Sequence, residues 1–288
     1  MTMIMNDNFK LSRFVMLAKQ HVANTWTYYV KQAMVMGLGM ALVACIIIWN
    51  MRHGFDTAGV RTEYVSMISG IMGLVLLVLL PLSASMLMNN MKTKQERISF
   101  MVLPASNLEK FLVRMLHSSI GYLTCFVAGT VIAELIQVVF AFMVTQHCAL
   151  ITPHFYLGIM SDMVSIKDHI AVALNSGAKM PFEASAAKLA VMCYLAFVMI
   201  HSSYTLGGAL FRKHAWVLTS LCLMAWSMVR FMIMGMLSVN PMELFSVNQD
   251  WMFTGYVAYN IVLAGAFYVG AYIIFKRAQG INNSIVNL

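Results

Sequence analysis

The chain has 288 residues, 60% of them apolar and only 10% charged, with 28 methionines and a formal net charge of +8 at pH 7. A charged fraction so far below the roughly 25% of soluble domains excludes an ordinary water-soluble fold and points to an integral membrane protein. The basic residues border apolar stretches and form no separate soluble patch, so the excess charge reads as a topology signal and excludes a nucleic-acid partner.

In the first thirty residues Lys10, Arg13 and Lys19 are spread among Phe9, Leu11, Phe14, Val15, Met16 and Leu17. No continuous apolar core of a signal peptide is present. The pattern predicts an amphipathic helix over 1–30 lying along the membrane surface, or else a cytosolic extension of the first span. Apolar runs then recur at Ala33–Met51, Tyr64–Met91, Met115–Ala133, Leu189–Phe211 and Trp251–Phe275, and Ala215–Leu237 is interrupted only by Arg230. About twenty residues at about 1.5 Å each cross a hydrocarbon core of about 30 Å. The expected fold is therefore an all-α membrane protein, one transmembrane domain over 1–288 with six helices.

Counting Lys and Arg near span ends, the side holding both termini collects thirteen, among them Lys10, Arg13, Lys92, Lys94, Lys110 and Arg212. The other side has five, Arg52, Arg61, Lys167, Lys179 and Lys188. The asymmetry predicts both termini in the cytosol and an inner-membrane location. Outside lie a short loop over 52–63, a longer one over 146–188 expected to pack a helix or two on the outer face, and a third over 238–250. That third loop is either a short re-entrant or surface helix or an ordinary loop. Inside, residues 212–214 are too few for anything but a tight helical hairpin. The sizeable cytosolic connection is 92–114. The cysteines Cys45, Cys125, Cys193 and Cys222 fall inside spans and Cys148 near the end of one, with no paired spacing, and read as small apolar residues.

Within the 92–114 connection, Ser106, Asn107, Leu108 and Glu109 form the S-x-x-E pattern of a capping box, which places a helix start at about Asn107. Pro104 disfavours helical geometry at Leu103, so a helix descending from the second span stops there. A helix, a sharp turn at Leu103–Ser106 and a second helix feeding the third span result. This arrangement, with six spans and an L-P-A-S turn followed by Glu, resembles the permease subunits of ABC-2-type transporters. The resemblance implies a coupling helix that docks on a separate ATPase, carried here by Phe100, Leu103, Pro104, Ala105, Ser106, Glu109, Lys110 and Arg114. The sequence upstream, "MKTKQERISFMV", departs from that family by its basic character and by lacking a Gly-Thr or Gly-Ser after the acidic residue. The resemblance further implies a second permease copy and ATP with Mg on the partner ATPase, with export the more usual direction. No Gly-x-x-x-x-Gly-Lys-Ser/Thr cradle exists in the chain, which is thus expected to be no enzyme itself and to carry no cofactor.

Glu134 and Arg230 are ionisable residues well inside spans, where lipid penalises charge. Their similar depths, about 27 and 22 Å from the cytosolic ends at 1.5 Å per residue, predict an intramembrane pair. Methionines at helical spacing (Met34, Met36, Met40; Met228, Met232, Met236) read as adaptable packing, and the histidines lack metal-ligand spacing. Ala266 and Gly270 offer a small face for close packing on the last span. Two other functions remain: a non-transporting membrane scaffold or sensor, and an intramembrane enzyme, for which His201, Ser202 and Ser203 are the only cluster and no partner is evident. No residue cluster selects a substrate.

Overall fold

The computed structural model describes residues 9–91, 95, 98, 102–159, 186–211, 213–236 and 250–277. Helix α1 is Leu11–Met51 and α2 is Ala58–Ser85, which continues into a 3-10 turn, Met86–Met91. Helix α3 (Asn107–Leu116), a π turn (His117–Gly121) and α4 (Tyr122–Thr145) run on from one another. A further helix, α5, begins at residue 152 and is described to 159. Helices α6 (Ala186–Leu210), α7 (Ala215–Met236) and α8 (Asp250–Arg277) complete the described residues, which contain no strand.

Among the described residues, six helical stretches are long and apolar enough to cross a membrane, and they coincide with the six apolar runs of the sequence. The first takes in the N-terminal segment as well: α1 is one helix of 41 residues, about 60 Å at 1.5 Å per residue. That is about twice the roughly 30 Å hydrocarbon thickness, so α1 is longer than a span requires.

The described residues belong to two compact units. One is built from Met1–Ser83 and Ala105–Ile159, the other from Ala84–Pro104 and Met160–Leu288.

In the first unit α1 lies along α3 and α4. Arg13 meets Glu109, His21 meets His117, Tyr28 meets Tyr122 and Gly37 meets Gly129. The sequence separation of these pairs is nearly constant, which defines two parallel helices in register from end to end. Small residues bring the backbones together: Ala33, Gly37, Ala41 and Ala44 are buried on α1, and Gly129, Ala133 and Ala141 on α4. A Cβ on Gly37 would lie 2.9 Å from the Gly129 carbonyl oxygen and from Ile132. With no hydrophobic driving force between helices in lipid, such backbone proximity is the main source of packing energy.

The second unit follows the same logic. Gly208 of α6 faces the Ser85 backbone, and Gly207 faces the Thr219 side chain of α7. The α6–α7 connection is as tight as its length demands, with His214 in the left-handed region at φ 52° and the Leu218 N–H bonded to the His214 carbonyl at 3.1 Å. Side chains join the helices through Tyr204 to Ser220 (2.6 Å) and His201 to Tyr268 (2.7 Å).

Because a Cβ on Gly129 would lie only 3.2–3.3 Å from Met36 and the α1 backbone while a Cβ on Gly39 would meet nothing within 4 Å, the two glycines should respond differently to enlargement. Gly129→Leu is expected to cost about 1–3 kcal/mol of overpacking, read as a lower thermal midpoint in detergent. Gly39→Leu should leave the midpoint nearly unchanged. Equal midpoints for the two variants would contradict the α1–α4 packing.

Candidate functional site

The turn ahead of α3 is capped as its sequence demands. Ser106 is extended (φ −67°, ψ 155°), its hydroxyl oxygen accepts from the Glu109 N–H at 3.2 Å, and the Glu109 carboxylate accepts from the Ser106 N–H at 2.9 Å. Helix α3 therefore starts at Asn107. Ahead of it Gln95 and Ile98 are helical, and the Val102 N–H reaches the Ile98 carbonyl at 3.1 Å.

Glu109 does more than close its own helix. Lys10 occupies the cap position of α1 and offers its first turn no side-chain acceptor. The Glu109 Oε1 atom accepts the Lys10 backbone N–H at 2.7 Å and also the Arg13 guanidinium, at 3.0 Å from Nη2 and 3.3 Å from Nε. One fully buried carboxylate thus satisfies the cap N–H of two helices whose positive ends meet at it. Hydrogen bonds to a charged acceptor contribute about 1.5–3 kcal/mol each, and an unmatched buried carboxylate would be strongly destabilising. The role of Lys10 and Arg13 could not be foreseen, since nothing local in the sequence joins residues 99 and 96 positions apart.

This geometry redistributes the expected coupling residues. Ala105, Ser106, Glu109, Lys110 and Arg114 are buried, so their side chains are committed within the chain. Pro104 is exposed and Leu103 partly so. Val102, at 76% exposure, and Leu108, at 38%, are absent from the residues that the resemblance points to, and each exposes an apolar side chain. Phe100 lies outside the described residues.

Glu134 has partners on the segment that follows its helix. Helix α4 ends at Gln146, which takes the left-handed conformation (φ 57°) and turns the chain back. Gln137 Nε2 donates to the Ala149 carbonyl at 3.0 Å, while its Oε1 accepts the Tyr64 hydroxyl at 2.9 Å. The Glu134 carboxylate accepts the N–H groups of Ile151 (3.0 Å) and Thr152 (3.1 Å) and the Thr152 hydroxyl (3.2 Å). Farther down, Tyr156 bonds Thr130 and the Phe155 ring stacks 6.2 Å from Phe126. As residue numbers rise from 149 to 155, their partners fall from 137 to 126.

The segment 147–159 therefore folds back along α4, where the sequence suggested helices resting on the outer face; the rest of the 146–188 loop beyond 159 lies outside the described residues. If Leu116 marks the cytosolic boundary, Phe126 lies about 15 Å into the membrane. The helix α5 is what reaches that depth, whereas the 147–151 backbone, outside any helix, passes beside Gln137 and Glu134 about 27–32 Å above Leu116, where its polar groups need protein partners next to the hydrocarbon. Glu134 and Gln137 supply those partners, and the carboxylate sits at the positive end of α5. These donors meet the Glu134 charge without a cation. Arg230 is partly exposed on α7, in the other unit. A local signal for α5 was present: Pro153 sits in its first turn, where a missing N–H costs nothing.

The cluster around His201 is occupied with packing. The Ser202 and Ser203 hydroxyls donate to the Met199 and Ile200 carbonyls of their own helix, and His201 Nδ1 bonds the Tyr268 hydroxyl. The three are not arranged as a nucleophile and its base. Among the described residues, no three His, Cys, Asp or Glu side chains gather as a metal site. The 238–249 stretch lies outside the described residues.

If Glu134 holds the returning segment, its removal should release it. In a Cys148→Ser background, Ile151→Cys places a thiol at a position that is 3% exposed. Adding Glu134→Ala should raise its rate of labelling by a membrane-impermeant maleimide about tenfold, the effect of losing roughly 1.4 kcal/mol of net hydrogen bonding. An unchanged rate would contradict the capping role.

Comparison with models of known protein families, with curated proteins and with solved structures found no match.

Proposed function

We propose that this chain is the membrane-spanning permease subunit of an ATP-driven transporter of the ABC-2 type, working with a separate ATPase and a second permease copy. Both termini and the 92–114 connection would face the cytosol from an inner membrane, and export would be the direction of transport.

The observation that supports this reading best is the capped turn at the start of α3. Its rigidity comes from Ser106 and Glu109, and it is continuous with a helical stretch of 39 residues, Asn107–Thr145. A push on such a turn travels along the helix, because the turn cannot yield without breaking buried hydrogen bonds. Glu109 also binds the start of α1, so the same push is shared by two spans. Docking would use the exposed apolar side chains of Val102, Pro104 and Leu108. The buried Ser106, Glu109, Lys110 and Arg114 would keep the turn in shape.

The experiment is affinity purification of the detergent-solubilised chain from its native membrane, with partners identified by mass spectrometry and ATP hydrolysis assayed in the eluate. The reading predicts recovery of a protein with a phosphate-binding Gly-x-x-x-x-Gly-Lys-Ser/Thr loop. Val102→Asp together with Leu108→Asp should reduce that recovery at least tenfold, and Leu150→Asp, at an exposed position elsewhere, should not. A folded wild-type chain that brings down no ATPase, or equal recovery by all three proteins, would defeat the reading.

A further inference from the structure

A groove of about 360 Å³ runs beside the parallel helix pair, from Ala18 to Ala33 on α1 and from Val113 to Ala128 on α3 and α4. Fifteen residues of helix make it about 22 Å long at 1.5 Å each, so it is narrow for its length. Its volume is within the range of small-molecule sites, about 300–1,000 Å³. One end is apolar, walled by Val30, Ala33, Ile120 and Ala128.

The other end is polar and basic. His21 and His117 meet edge to face with ring centroids 4.2 Å apart, and the Tyr29 hydroxyl bonds His117 Nδ1. The His21 Nε2 atom is buried and makes no hydrogen bond to the described residues. The Arg114 guanidinium is near enough to act on the charge of both imidazoles, and Lys19 is exposed two residues before His21. Trp26, 61% exposed, lines the groove between the two ends. Tryptophan is enriched at the membrane–water boundary.

The wall at the polar end departs from regular helix. His117–Gly121 form the π turn, a feature that recurs at functional sites. Gly121 is the residue against which the Tyr29 ring lies, and any Cβ there would strike that ring.

We propose that this groove holds one acyl chain of an anionic phospholipid, with the headgroup at the His21 end, beside the exposed Lys19. Length, polarity and charge all run the same way. A leaflet is about 15 Å deep, half the roughly 30 Å core, so a groove of about 22 Å takes a full tail and leaves the remainder at headgroup level. A phosphate oxygen is an acceptor for an imidazole N–H and a counter-ion for the Lys19 ammonium. An apolar helix of a second copy would fit the tail end alone and leave the basic end unmatched.

The test uses the full chain in nanodiscs of equal phosphatidylglycerol and phosphatidylcholine, with a photoreactive diazirine midway along the acyl chain of one lipid at a time. Cross-linked peptides are mapped by mass spectrometry. The proposal predicts labelling concentrated within residues 22–33 and 116–128, at least fivefold stronger from the anionic lipid. Thr124→Trp and Ala128→Trp fill the groove from exposed positions and should lower that labelling at least fivefold, while Val139→Trp, exposed elsewhere on α4, should not. Gel filtration and thermal midpoint confirm that each variant is folded. Labelling spread evenly over the lipid-facing positions, absent from the groove, or equal for the two headgroups would overturn the proposal, and the wild-type chain alone is enough to reveal any of the three.

Discussion

A single carboxylate, that of Glu109, receives the first N–H groups of two helices and the guanidinium of Arg13. Every long helix has unsatisfied N–H groups at its start, and in a buried position each must find an acceptor. Helix α1 begins without one of its own, because Lys10 has no acceptor side chain. The acceptor comes from α3, and this aligns the starts of both helices at one level. Parallel register follows all along the pair, through His21 and His117, Tyr28 and Tyr122, and finally Gly37 and Gly129. The close glycine contact works only if the register is right, so the polar latch at one end and the apolar packing in the middle depend on each other.

The far end of the pair applies the same rule with another acid. Glu134 and Gln137 accept and donate where the chain doubles back over 147–151, outside any helix. In both places a carboxylate, buried at Glu109 and partly buried at Glu134, is matched by backbone N–H groups. Burying a carboxylate is costly in lipid unless its lone pairs are filled. Helix N-termini supply donors and a favourable dipole together, which is why both acids are found there.

Much of this was legible in the sequence. The six spans followed from run length, and the capping box over Ser106–Glu109 followed from residue types at fixed spacing, since both depend on local chemistry alone. The continuity of α1 was less legible: Lys10, Arg13 and Lys19 suit a surface helix and an extended span equally, and the contacts that hold its start against α3 lie about a hundred residues away in the sequence. The partners of Glu109 and Glu134 were invisible too. Backbone N–H groups carry no sequence signature, and the turn at Gln146 that delivers them uses a left-handed residue other than glycine. Pro153 marked the helix that follows, although not its direction. The inward placement of Lys110 and Arg114 was equally hidden, because charged residues in a cytosolic connection are expected to face water.

The central claim is that Glu109 caps two helices at once, and hydrogen exchange read by mass spectrometry tests it most directly. Wild type and Glu109→Ala would be compared in the same nanodiscs, following the peptides that contain residues 10–16 and 106–112. The account predicts that both stretches lose protection together, by about tenfold or more for a loss of roughly 1.4 kcal/mol. If only 106–112 loosens while 10–16 exchanges as before, Glu109 serves its own helix alone, and the coupling of α1 to the turn would have to be abandoned.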